Sequence, residues 1–74
     1  MNTKINRKLE TNELIHQIVF LITNREDYKS AAQILISNKI SIDEVSKNTL
    51  KLTSLNISML TNKLIILKKE NNVN

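Results

Sequence analysis

The chain contains neither glycine nor proline. Tight hairpin turns need backbone at positive φ, which glycine supplies without steric cost, so a sheet built from this chain would rest every turn on asparagine or aspartate. Helices need no such residue. Ser, Thr, Asn and Asp suffice as helix caps, and they recur between the apolar segments. The expected class is therefore all-α, with helix ends set by short polar side chains. Size adds a second constraint, because 74 residues make at most one domain. A chain that short buries only about 60% of the surface its unfolded state exposes. With no cysteine and a single histidine, it lacks the disulfide or metal that commonly staples so small a core, and a second subunit is the remaining device. The expected architecture is a helical hairpin packed against a long C-terminal helix, in a homodimeric bundle.

The apolar spacing divides the chain as follows. Residues 1–10, MNTKINRKLE, read as a flexible basic arm, residues 11–70 as one helical domain and residues 71–74 as a disordered tail. Thr11 can cap a helix over about residues 12–23, with Glu13 in the first turn, where a negative charge suits the helix dipole. Leu14, Ile15, Ile18, Leu21 and Ile22 share one face, with Val19 at its edge, which is the spacing of a core helix. Asn24 is then placed to cap a second helix over about residues 25–37, which turns Tyr28, Ala31, Ala32, Leu35 and Ile36 inward. Asn38 is the residue best suited to a left-handed stop. Next comes SIDE, a capping-box pattern in which Ser41 and Glu44 pair side chain to backbone, and Ile40 can staple against Val45.

The stretch LKLTSLNISMLTNKLIILKK, residues 50–69, has a partial two-residue alternation, but the alternation slips register at Thr53 and Ser54. A strand would send Leu50 and Leu52 to one face and Leu55, Ile57 and Met59 to the other. A helix keeps two apolar stripes: Leu50, Ile57, Leu60, Leu64 and Leu67 on one, and Val45, Leu52, Leu55, Met59 and Ile66 on the other. The third helix is accordingly expected to run unbroken over residues 42–70, about 43 Å at the usual rise per residue. Asn48, Thr49, Thr53 and Ser54, all indifferent helix formers, mark where a break would fall. The first stripe can meet the N-terminal hairpin. The second would expose too large an apolar patch for a monomer, which points to a homodimer through Leu52, Leu55, Met59 and Ile66. Asn48 and Asn62 interrupt that stripe, which favours bundle packing over a long zipper.

SIDEVSKNTLKLTSLNISMLTNKLI resembles a helix–turn–helix segment. In that resemblance SIDEVS starts the first helix and TSLNISMLTNKL is the recognition helix, with Ser54, Asn56 and Ser58 near its start. The usual turn glycine is absent, Leu50 or Lys51 standing in its place, and the turn needs an extra residue. The resemblance would break the long helix. It implies a small basic DNA-binding regulator. Independently of that motif, Lys47, Lys51 and Lys69 share the polar face of the C-terminal helix with Ser54, Ser58 and other hydroxyls and amides, a face able to track phosphates.

The net charge of +4 permits a polyanionic partner without requiring one. Residues 1–25 carry four bases and two acids, residues 26–44 two bases and four acids, and residues 45–74 five bases and one acid, so both ends are basic. The abundance of Asn, Ile and Lys also matches AT-rich coding, as in phages, plasmids and AT-rich bacteria. Glycine-rich phosphate loops, cysteine nucleophiles and metal-ligand spacings are all missing, so the chain is expected to be no enzyme and to bind no metal or cofactor. The acid pairs Glu26, Asp27 and Asp43, Glu44 fall at helix starts, where their interaction with the dipole accounts for them. His16 and Phe20, one turn apart on a face of the first helix that should be polar, are candidate contact residues. The preferred expectation is a cytoplasmic, non-catalytic regulator of inhibitor, antagonist or immunity type that binds another protein and itself. Nucleic acid is the alternative partner, and a membrane surface ranks below both because there is no tryptophan.

Overall fold

The computed structural model describes residues 3–71, and the side chains of residues 10–70 among them. They form four helices packed together: α1 (Thr3–Arg25), α2 (Tyr28–Asn38), α3 (Ile42–Lys47) and α4 (Ser54–Asn71). Among the described residues there is no strand. The all-helical class expected from the absent glycine and proline is therefore present. Met1, Asn2 and residues 72–74 lie outside the described residues, so of the tail expected at 71–74 only Asn71 is seen, closing α4.

α1 differs from expectation at its start. Thr11, assigned as a cap, lies inside the helix, and residues 3–10, assigned to a loose arm, are its first turns. Lys, Arg, Leu and Glu dominate that stretch, and their good helix propensity outweighs the weak preference of Thr and Asn for ends. The expected core face is observed: Ile15, Ile18, Val19 and Ile22 are buried, with Leu14 and Leu21 packed against the same core.

The α1–α2 link is shifted from Asn24 to Asp27. Glu26 turns the chain at φ 52, and the Asp27 carboxylate accepts the Ser30 N–H at 3.0 Å as the N-cap. That backbone hydrogen bond, joined by the Ser30 side chain and then by Arg25 and Lys29, holds the Asp27 carboxyl below its ordinary value. The cap therefore stabilises the fold above the ordinary carboxylate range and fades as pH falls through the lowered folded value. α2 ends on Lys39 rather than Asn38 in the left-handed conformation, at φ 56. Ile40 N–H donates to Leu35 O at 3.0 Å and Lys39 N–H to Ile36 O at 3.3 Å, the two bonds of a Schellman stop. Ile40, the residue after the stop, is buried in the core, and so the stop is fixed one residue later than Asn38.

α2 is central, packing against α1 on one side and more extensively against α4 on the other. Ala31 and Ala32, both fully buried, are the small residues that permit this close approach. Ser41 Oγ accepts the Glu44 N–H at 3.0 Å to start α3, the Ser41 half of the exchange that the SIDE pattern predicts.

The long third helix is not formed. α3 ends at Lys47, residues 48–53 make a connection, and α4 begins at Ser54. Polar side chains there bind the backbone in place of helical partners. Asn48 Nδ2 donates to Glu44 O at 2.7 Å, and Thr49 Oγ1 accepts the Lys51 N–H at 3.1 Å. Thr53 and Asn56 then form a reciprocal cap: Thr53 Oγ1 accepts the Asn56 N–H at 3.0 Å and Asn56 Oδ1 accepts the Thr53 N–H at 2.9 Å. Asn56 Nδ2 also donates to Tyr28 Oη at 2.9 Å, tying the start of α4 to the start of α2.

The break redistributes both expected stripes. From the first, Leu60 and Leu67 are buried and Leu64 packs against the core, but Leu50 is 99% exposed. From the second, Val45 is fully buried and Leu52 packs against the core, while Leu55, Met59 and Ile66 remain on the surface.

Asn56→Ala removes the side-chain acceptor of the Thr53 N–H and the link to Tyr28, leaving the residue 56 N–H on Thr53 Oγ1, and is expected to cost about 1–2 kcal/mol. Asn62→Ala, on an exposed position of the same helix, should stay within about 0.5 kcal/mol. Urea denaturation separates the two, and equal midpoints would show that the Thr53–Asn56 cap does not hold the break. Lys39→Gly relieves a left-handed non-glycine and is expected to stabilise the fold by less than about 1 kcal/mol after the added chain entropy of glycine, read as a higher thermal midpoint.

Candidate functional site

Two surfaces carry the exposed apolar residues. The first is the outer face of α4, opposite the side that packs on α2. With Leu60 and Leu67 turned inward, the helical period directs Leu55, Met59 and Ile66 outward, at 67%, 44% and 47% exposure. Ser54, Ser58, Asn62 and Lys69 are exposed beside them, with Ile65, 49% exposed, on the same flank, so α4 presents an apolar strip beside a mixed one. Leu52, assigned to the same contact, is withdrawn from it, because the break turns it against the core.

The second surface joins α1 to the connection between α3 and α4. Phe20 is half exposed, and the Arg25 guanidinium lies 5.9 Å from the centre of its ring. Such a stack contributes about 0.5–1 kcal/mol at an exposed site and fixes the orientation of the ring. A groove of about 470 Å³ runs from His16, Phe20 and Asn24 on α1 to Asn48, Leu50 and Lys51 in the connection. A shallower depression of about 330 Å³ lies along α1 beside His16, Gln17, Phe20 and Leu21. Leu50 stands at the rim of the larger groove with almost its whole side chain in solvent. The hydrogen bonds of Asn48, Thr49 and Thr53 hold the connection in shape, so this leucine is presented on a tied loop.

The lysines assigned to a nucleic-acid face are dispersed by the break. Lys47 is on α3, paired with Asp43 at 3.4 Å across one turn; Lys51 is in the connection; and Lys69 is near the end of α4. Ser54, Ser58 and Lys69 do share the outer side of α4. The residues that resemble a helix–turn–helix therefore occur in the order short helix, connection, helix with one exposed side. The connection of residues 48–53 is longer than the turn of about 3–4 residues in that motif.

His16 and Phe20 are exposed as their spacing predicts. Leu50 departs from its expected place, because a wheel drawn through an unbroken helix assigns it to the core. The cluster of Asn48, Thr49 and Thr53 around it is the available signal that the wheel does not apply there. Among the described residues no group of three or more His, Cys, Asp or Glu side chains is placed to hold a metal ion. No helix among them is long and apolar enough to cross a membrane. No protein-family model matches the chain, and comparisons with curated proteins and with solved structures find no match.

Leu50→Ser should leave the unfolding free energy within about 0.5 kcal/mol of the parent, because the side chain has almost nothing to lose. A larger loss in a denaturant titration would place Leu50 in the fold rather than on a contact surface.

Proposed function

We propose that the protein is a non-catalytic regulator that acts by binding another protein through the ridge and groove formed by Phe20 and Leu50. The observation that carries this reading is a leucine 99% exposed on a hydrogen-bonded loop, across a groove from a half-exposed phenylalanine. Aromatic and arginine side chains supply much of the free energy of protein contacts, burial of an exposed leucine adds about 1.5–3 kcal/mol, and a preformed loop reduces the ordering cost of association. Arg25 and Lys51 beside the groove favour an apolar segment flanked by acidic residues. Inhibitor, antagonist and immunity roles all fit a surface of this kind. A cytoplasmic setting fits the cysteine-free sequence.

The test is capture of the partner from the native cell, followed by affinity measurements with the purified pair. Phe20→Ala and Leu50→Ser are each expected to weaken binding about tenfold or more, whereas Gln33→Ala, exposed on α2, should change it less than about twofold. Equal affinity for all three variants would refute the assignment of this surface.

A second reading is DNA binding through α4. It is favoured by the break itself, which sets α4 off as a separate helix with Ser54, Ser58, Asn62 and Lys69 exposed, as the helix–turn–helix resemblance requires. On that reading duplex affinity falls steeply with salt, and neutralising Lys47, Lys51 and Lys69 lowers the salt slope by about 0.9 for each phosphate that no longer meets a lysine. Absence of binding to duplex DNA at low salt removes it.

A further inference from the structure

α2 and α4 run in the same direction. Their starts are tied by the bond from Asn56 Nδ2 to Tyr28 Oη, and towards their ends they meet again at a groove of about 390 Å³. Leu35 and Ile40, both buried, floor this groove, and Ile36, Ile42 and Leu64, partly buried, wall it. Lys39 follows Ile36 by three residues and Lys68 follows Leu64 by four, so on each side a lysine stands one turn beyond an aliphatic side chain. Because the two helices are parallel, both lysines fall at the same end. The groove is therefore aliphatic along its length and cationic at its mouth.

A lysine near a helix end commonly does no more than offset the dipole. Here two of them, from the ends of different helices, converge on one apolar groove, and among the described residues neither is paired with a carboxylate. Lys39 holds its place at φ 56, a conformation that costs a non-glycine about 1–2 kcal/mol, and it brings to the mouth an ammonium that glycine would not supply. Among the described residues no carboxylate or amide side chain lines the groove, and the carbonyls of Leu35 and Ile36 already accept from the N–H groups of Ile40 and Lys39. An extended peptide would find few acceptors for its own N–H groups. A partner helix anchored at i, i+3, i+4 and i+7 needs a longer groove. The volume instead lies at the low end of the range usual for small ligands, about 300–1,000 Å³.

We infer that the groove binds a small anionic amphiphile of the fatty-carboxylate class. Its aliphatic chain lies between Ile36, Ile42 and Leu64, and its head group meets the ammonium groups of Lys39 and Lys68, with the Ser41 hydroxyl as a further donor within the lining. This site is separate from the Phe20–Leu50 surface, and neither rests on the other.

The test is a titration of the isotope-labelled full chain with decanoate, kept below its micelle concentration, with the methyl resonances of Ile36, Ile42 and Leu64 followed by NMR. They are expected to shift together and to saturate, with Leu50 unmoved. Decyltrimethylammonium, which carries a cationic head on the same chain, should bind about tenfold more weakly, and Lys39→Gly and Lys68→Gln should each weaken decanoate about two- to fivefold. Lys39→Gly relieves the left-handed backbone, so its thermal midpoint should be no lower than the parent's, which separates lost binding from lost fold. Equal binding of the two amphiphiles overturns the inference, as do lysine variants that bind like the parent or an absence of saturable shifts at the three residues. Shifts produced there only by anionic vesicles, by a short acidic peptide containing leucine, or by raising the protein concentration alone would give the groove to a membrane surface, a protein partner or a second copy, and would overturn it as well.

Discussion

The arrangement of the molecule depends on where the C-terminal apolar segment stops being one helix, and that is decided by the Thr53–Asn56 cap. Each residue satisfies the other's backbone N–H, and the side-chain amide of Asn56 reaches Tyr28, 28 positions earlier in the chain. A continuous helix would carry Val45 and Leu52 outward on the same side as Leu55, Met59 and Ile66. Breaking the helix buries Val45 and packs Leu52, partly buried, against the core. Full burial of the valine is worth about 1.5–3 kcal/mol and the leucine adds a part of that, against the few tenths that separate Asn and Thr from better helix formers. Tertiary burial outweighs local continuity by a wide margin.

The same inequality explains which parts of the fold were legible in the sequence. The inward faces of α1 and α2 were legible because apolar periodicity reports burial directly, and Ile15, Ile18, Ile22, Ala31, Ala32 and Leu35 are all buried. The start of α3 was legible because Ser41 and Glu44 are neighbours, so their pairing is a local property. The break was not. Its location was marked by a run of indifferent helix formers, but the choice between bent and straight depends on Tyr28, which a window of ten or twenty residues does not contain. The helix stops at Glu26 and Lys39 were hidden for a related reason. Without glycine the chain uses ordinary residues at positive φ, and propensity does not single them out.

For the surfaces, legibility followed the helices. Phe20 and His16 lie on a helix whose phase was read correctly, and they emerge where the wheel puts them. Leu50 and Leu52 lie in the break, where phase has no meaning, and the wheel misplaced both: one is solvent-exposed and the other packs inward. Lys47, Lys51 and Lys69 were grouped by the same wheel and are scattered over three elements for the same reason.

Magnitudes set the kind of association that α4 can support. Leu55, Met59 and Ile66 are each about half exposed already, so covering them completely recovers roughly 1 kcal/mol per side chain, about 6 kcal/mol for the two copies. Lost translational and rotational freedom opposes this by at least about 4 kcal/mol, more on most estimates. The balance leaves at most about 2 kcal/mol, weaker than a millimolar equilibrium, so these three side chains do not by themselves hold two copies together. The monomer must therefore hold its own fold, which is what the placement of Val45 and Leu52 in the core provides.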